Sequence, residues 1–234
     1  MNLLLLQPGR LGDILICLPI AKYYSDKGYQ VYWPVLEQYA NTFNNIDYVT
    51  PIILDGDIFN VMSKCYSLSD EYENVIDLSL GFPDSKVNKY HNDLEFASNF
   101  VEAKYKLAGV SLDERWSLSY NRNSEKEDAL FNLIVGEEGY TLIHDEASCG
   151  RLCSIEDTNV IRVAPIDGFN IFDWYKVAIN ANKIYCVDSS FCNFIESISD
   201  FKDKEKYYIP VKPMGEAGDW GKTTLKNNWN IMTA

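Results

Sequence analysis

Residues 2–28, NLLLLQPGRLGDILICLPIAKYYSDKG, decide the fold. Asn2–Gln7 carries four consecutive leucines and reads as a strand buried on both faces, the pattern of a parallel sheet. Asp13–Tyr24 follows as a helix with Ile14, Leu15, Leu18 and Ile20 apolar, and Gly28 closes it. In the intervening loop, Gly9 and Gly12 let the backbone approach a ligand, and the free amides of the helix start suit an anion. Asp13 lies in the first helical turn, where the helix dipole favours an acid. It reads either as a plain helix-start acid in a tight turn or as a carboxylate able to act as general base toward a hydroxyl.

Working outward, strands are expected at Gln30–Leu36, Tyr48–Leu54 and Asn74–Ser79, with helical segments near Glu37–Phe43 and Leu94–Ala108. The polar stretch Tyr120–Asp128 then opens a helix that runs to Val135. Beyond it come strands at Tyr140–His144, Asn159–Ala164, Lys183–Val187 and Lys206–Pro210, and helices at Ile171–Ala181 and Phe191–Ile198. This βαβ rhythm predicts an α/β protein of two Rossmann-like lobes with parallel sheets. The lobes are expected over residues 1–125 and 138–234. Only 36 residues separate Arg151 from Asp188, so the second lobe is expected to be reduced.

The 234 residues are 47% hydrophobic and 24% charged, enough for a sizeable core. Against 21 basic residues stand 34 acidic ones, and the net charge of −13 disfavours nucleic acids and anionic membranes. The last 35 residues are the exception, with six lysines against five acids. The apolar run at the N-terminus is far shorter than the ~20 residues of a membrane span, so a cytoplasmic protein without a span is expected. Six cysteines (17, 65, 149, 153, 186, 192) show no CxxC spacing and read as free thiols of a reducing compartment.

Three further motifs end predicted strands. Val187-Asp188-Ser189-Ser190-Phe191-Cys192 places hydroxyls and free amides at a helix start, either as an ordinary cap or as a phosphate site. His144-Asp145-Glu146-Ala147-Ser148-Cys149-Gly150-Arg151 offers His144 as a ligand, Arg151 as a phosphate clamp, and Ser148 and Gly150 for backbone access. A solvated acidic loop is the plain alternative there. Ile52–Ile58 contains Asp55-Gly56-Asp57, either a common turn or a carboxylate pair for a divalent cation. Trp220 and Trp229, in a polar tail, are expected to pack against the core or the first half rather than to stack on a base.

Taken in order, these segments resemble the heptosyltransferase-like glycosyltransferases of the GT-B fold. Gly9 to Asp13 is similar to that family's G-x-x-G-D loop, and Tyr72–Gly81 (YENVIDLSLG) to its YDxVIDL-type strand with a polar follow-on. The helix over Phe100–Val110, ending in a Leu-Ala-Gly turn, resembles the one before the family's interdomain link. Leu142–Ser148 looks like the strand and HPGAS turn opening its second domain, and Phe172–Ile198 its donor-phosphate segment. The family's histidine and glycine in that segment correspond here to Asn193 and Ser190, and its Pro-Gly after His144 to Asp145-Glu146.

The resemblance implies transfer of a sugar from a nucleotide-activated donor to an unidentified acceptor hydroxyl, with no cofactor or metal. Asp13 would be the base. Gly9, Arg10, Gly12 and Asp77 would line the acceptor side, and His144, Ser148, Gly150, Arg151, Asp188, Ser189 and Ser190 the donor side. Two alternatives stand beside it: a non-catalytic nucleotide-sugar-binding or scaffold protein of the same fold, and a metal-dependent GT-A-type transferase using Asp55 and Asp57.

Overall fold

The structure is a computed structural model that describes residues 1–91, 93–147, 150–151, 155, 159–210 and 224–232, with the backbone alone at 147, 150 and 151. The chain divides into two compact units, the first Met1–Asn121 and the second beginning at Arg122. Both are built on parallel sheets.

In the first unit β1 (Asn2–Leu6), β2 (Gln30–Leu36), β3 (Val49–Leu54) and β4 (Asn74–Asp77) form one sheet in the order β3-β2-β1-β4. Every pairing is parallel, with Leu3 opposite Val31 and Asn74, and Leu6 opposite Asp77. The leucines of β1 are buried on both faces because a strand between two neighbours in a covered sheet meets side chains above and below. Truncating one of them to alanine costs about 2–5 kcal/mol.

Helix α1 (Leu11–Asp26) follows β1 directly and buries Ile14, Leu15, Leu18 and Ile20. Just past its end Gly28 takes φ +86, a conformation open to glycine but strained for other residues. Pro19 lies inside the helix and removes one backbone donor. In the same stretch Ile16 offers its carbonyl to the buried hydroxyl of Tyr105, which donates at 2.9 Å. Tyr105 belongs to α3 (Phe100–Ala108), so the proline turn is tied to a second helix.

Three elements differ from expectation. The segment 94–108 is helical only from Phe100, because the Asn99 side chain accepts from the Glu102 amide and the Glu102 carboxylate accepts from the Ser98 amide. That reciprocal cap starts the helix there. Glu37–Asn45 winds as a 3₁₀ helix, and α2 (Val61–Ser69), absent from the sequence reading, packs Val61, Met62 and Cys65 against Leu4, Leu6 and Leu36.

The second unit opens with α4 (Ser124–Ile134), capped by Asn123. Its sheet joins β5 (Thr141–His144), β8 (Val160–Arg162), β9 (Lys183–Val187), β10 (Lys206–Ile209) and β11 (Trp229–Ile231) in the order β11-β10-β9-β5-β8, all parallel. A short antiparallel hairpin, β6 (Glu146–Ala147) with β7 (Gly150–Arg151), follows β5. A 3₁₀ turn at Ile171–Trp174 runs into α5 (Tyr175–Asn180), and α6 (Ser190–Ser197) leaves β9. The polar tail therefore supplies an edge strand as well as the packing expected of Trp229, while Trp220 lies outside the described residues. Cys17, Cys65 and Cys186 are buried free thiols and Cys192 is buried, while Cys149 and Cys153 lie outside the described residues. Among the described residues no helix is long and apolar enough to cross a membrane.

Candidate functional site

In the first unit the loop from β1 to α1 is pinned before it reaches the helix. Gln7 is fully buried, donates from Nε2 to the Leu78 carbonyl at 3.1 Å and accepts the Trp33 indole N–H on its own carbonyl at 2.5 Å. Pro8 accepts from the Leu36 amide at 2.8 Å. At Gly9 a Cβ would lie 2.6 Å from Cε2 of Tyr39, so the ring's approach requires glycine. Arg10 caps α1 with φ 54 and ψ 119, a positive-φ conformation that costs a non-glycine residue of order 1–3 kcal/mol. Its guanidinium stands 5.9 Å from the Phe82 ring centroid. No side chain caps this helix, and the amides of Leu11, Gly12 and Asp13 have no intrahelical acceptor.

Asp13 is buried to 8% exposure in that first turn. Burial raises its carboxyl above the ordinary range, and the charges of Lys104 and Arg10 oppose the shift. Lys104 Nζ lies 3.4 Å from Asp13 Oδ1. Cys17, one turn further on, has its thiol pushed up to about 12 by burial and stays protonated at neutral pH.

Asp77 ends β4 beside the same loop. One of its oxygens accepts from the Tyr66 hydroxyl at 2.8 Å, the other from the amide and hydroxyl of Ser79 at 3.0 and 2.5 Å, and Ser79 Oγ meets Ser85 Oγ at 2.8 Å. This local network shapes the turn after β4. Asp55 and Asp57 are likewise engaged locally. Asp55 pairs with Lys64 at 2.6 Å, and Asp57 accepts the amides of Phe59 and Asn60 at 2.8 and 3.2 Å, turning the chain into α2. Among the described residues no three His, Cys, Asp or Glu side chains are grouped to hold a metal ion.

In the second unit β5 and β9 are neighbours, with His144 opposite Cys186, so the motifs following the two strands meet at one sheet end. The His144 ring stacks on Phe191 at 5.7 Å between centroids, which joins His144 to the Asp188–Phe191 turn. Its Nδ1 is buried with no hydrogen-bond partner among the described residues. Burial lowers its pKa, against the raising effect of Asp145 and Glu146, and the imidazole is neutral at pH 7.

Ser189 is the N-cap of α6, accepting the Cys192 amide at 3.3 Å, and Ser190 begins the helix. The Asp188 amide donates to Ile209 of β10 at 3.2 Å. Asn193 returns its side-chain amide to the Ser189 carbonyl at 3.0 Å, bracing the turn from inside. The loop after His144 is not a solvated acidic turn throughout: Asp145 is buried and ion-paired with Arg162 of β8. Gly150 and Arg151 pair through their backbone with Ala147 and Glu146, while Ser148 lies outside the described residues.

Sequence reasoning missed Lys104, Arg162 and Glu196. For Lys104 a signal exists, because Val101, Lys104, Tyr105 and Ala108 follow the i, i+3, i+4, i+7 spacing of a buried helical stripe. A lysine on such a stripe needs a buried partner.

No protein-family model and no curated protein sequence matches the chain. Solved structures do match. Escherichia coli ADP-heptose LPS heptosyltransferase II superposes with a TM-score of 0.60 at 10% identity, over 99% of this chain and 90% of that one. E. coli heptosyltransferase WaaC, solved with ADP-2-deoxy-2-fluoro heptose, gives 0.50 at 12% over 100% and 93%. A glycosyl transferase family 9 protein from Veillonella parvula gives 0.57 at 8% over 99% and 86%.

The chain has the heptosyltransferase fold. It is an α/β protein of GT-B-like type with two Rossmann-like lobes. Within the heptosyltransferase fold, open parallel sheets present their ligand-binding loops at the carboxyl ends of the strands. Asp13 follows β1 at such an end, and His144 and Asp188–Ser190 lie at β5 and β9.

Proposed function

We propose that the chain is a glycosyltransferase that moves a sugar from a nucleotide-activated donor to an acceptor hydroxyl, with Asp13 as the base. The observation that carries this reading is a buried aspartate in the first turn of α1, facing a buried lysine, in a chain with the heptosyltransferase fold. The two E. coli structures are described with ADP-heptose chemistry, which supports a nucleoside diphosphate sugar as donor.

The first unit would take the acceptor. Gly9, Arg10 and Gly12 form the approach to Asp13, and Asp77 maintains the adjoining turn. Asp13 accepts the hydroxyl proton as the acceptor oxygen bonds to the anomeric carbon. The bond from that carbon to the diphosphate oxygen breaks, and the electron pair leaves with the diphosphate. In the second unit the donor would meet the turn Asp188–Ser190, the start of α6, neutral His144 and the Gly150–Arg151 backbone, with Arg151 and Ser148 assigned by their place in the motif. No step calls on a metal or cofactor, and cytoplasmic nucleotide sugars fit as the donor pool.

The test is Asp13→Asn assayed with a panel of nucleotide sugars. Transfer falls by about 10²- to 10⁴-fold while thermal shift by the donor persists. Unchanged turnover removes Asp13 from the mechanism. Absence of any donor-induced stabilisation of the wild-type protein favours the non-catalytic scaffold.

A further inference from the structure

Lys104 is fully buried, in contrast to its helix neighbour Lys106, which is exposed and pairs with Glu102. Three groups surround its ammonium. Nζ donates to the Leu78 carbonyl at 2.7 Å, lies 3.4 Å from Asp13 Oδ1 and stands 4.4 Å from the Phe100 ring centroid. The Leu78 carbonyl also accepts from Gln7 Nε2. One carbonyl after β4 thus ties the end of β1 to α3, and Lys104 carries that tie on to the first turn of α1.

A buried ammonium is expensive unless an anion and hydrogen-bond acceptors meet it. A purely apolar residue on the α3 stripe would avoid that cost, as Val101 and Ala108 do. The expense is incurred at a residue of α3 whose ammonium faces Asp13.

We propose that Lys104 is a positioning residue for Asp13: its ammonium fixes the orientation of the carboxylate and supplies the counter-charge that lets Asp13 meet an acceptor hydroxyl as an anion. This rests on the reading of Asp13 as the base. The other charged and titratable groups facing Asp13 fit the assignment. Arg10 is exposed at the helix start, Cys17 is a protonated thiol on α1, and Arg115, from the 3₁₀ turn at Leu112–Trp116, acts on Cys17. When Asp13 takes the acceptor proton and becomes neutral, Lys104 keeps its bond to Leu78 and stays in place for the reverse proton release.

The experiment follows the Asp13 side-chain carbon by NMR through a pH titration of wild type, Lys104→Met and Lys104→Arg. The methionine variant should titrate at least one pH unit higher, a tenfold stronger proton affinity, and arginine should restore part of the difference. The acid limb of kcat should move with it while KM for the donor stays unchanged. If Lys104→Met does not fold, the wild-type protein decides: the Lys104 ε-methylene resonances should shift with the Asp13 midpoint. Absence of that co-titration, or an unmoved Asp13 midpoint in a folded methionine variant, overturns the proposal even where Asp13→Asn has abolished transfer. A shifted Asp13 titration with Asp13→Asn still active would overturn the base reading, and with it the role of Lys104, while leaving the pair itself intact.

Discussion

Replacing Glu196 by alanine will release residues 224–232 and lower the stability of the second unit by about 2–4 kcal/mol. Glu196 is fully buried on α6. One carboxylate oxygen accepts the amides of Lys226 and Asn227 at 2.6 and 3.2 Å, and the other accepts the Trp229 indole N–H at 2.7 Å. Hydrogen bonds to a charged acceptor contribute roughly 1.5–3 kcal/mol each, so three give a ceiling of about 5–9 kcal/mol. The loss is smaller because β11 is an edge strand that can peel away and hydrate its donors. It is capped by the free energy that holds this segment on β10. Lys206, also buried, donates to the Phe201 and Lys202 carbonyls, and the Glu196 charge opposes the lowering of its pKa by burial. Glu196→Gln keeps a carbonyl for the two amides but turns an N–H toward Trp229, so about 1–2 kcal/mol is expected. Urea denaturation and hydrogen exchange at the Met232 amide, which donates to Tyr208 at 2.9 Å, measure both effects. Wild-type exchange over 226–232 with less than about 0.5 kcal/mol lost in the alanine variant would refute the role given to Glu196.

Two further outcomes follow from the first unit. Gly9→Ala sets a Cβ 2.6 Å from the Tyr39 ring edge and 3.4 Å from Leu36, forcing the ring out at a cost of about 1–3 kcal/mol, read as a lowered urea midpoint. The folded pKa of Asp13 lies above its unfolded value, so the folded chain holds that proton longer. The stability this contributes is fully present below the unfolded value and is lost as pH rises through the folded one. Wild type should therefore lose stability relative to Asp13→Asn as pH rises above the ordinary carboxyl value of 3.8, and a difference that is flat or grows with pH contradicts the burial of Asp13.

The parts of the fold legible in the sequence were those set by local chemistry. Four leucines in a row followed by an amphipathic helix define a buried parallel strand and its crossover without reference to anything distant. Asp13, Ser189 and Ser190 were legible for the same reason, since a helix start is a local object. The helix at Val61–Ser69 was not, because its few apolar residues only make a stripe once Leu4, Leu6 and Leu36 are there to receive them.

Periodicity by itself thus determined most of the succession of strands and helices along the chain, the α/β class and the loops in which chemistry is sought. Tertiary structure alone decided what the charged side chains on the helices do. Lys104 sits on the apolar stripe of α3, which marks it as buried without naming its partner, and Glu196, in line with Asn193 and Ser197 on α6, looks like a solvated position in the linear pattern. One is sealed against Asp13 and the other is covered by a tail strand some 30 residues away. The physical reason is that a charge tolerates burial only where a partner arrives, and partners distant in sequence leave no mark on local periodicity.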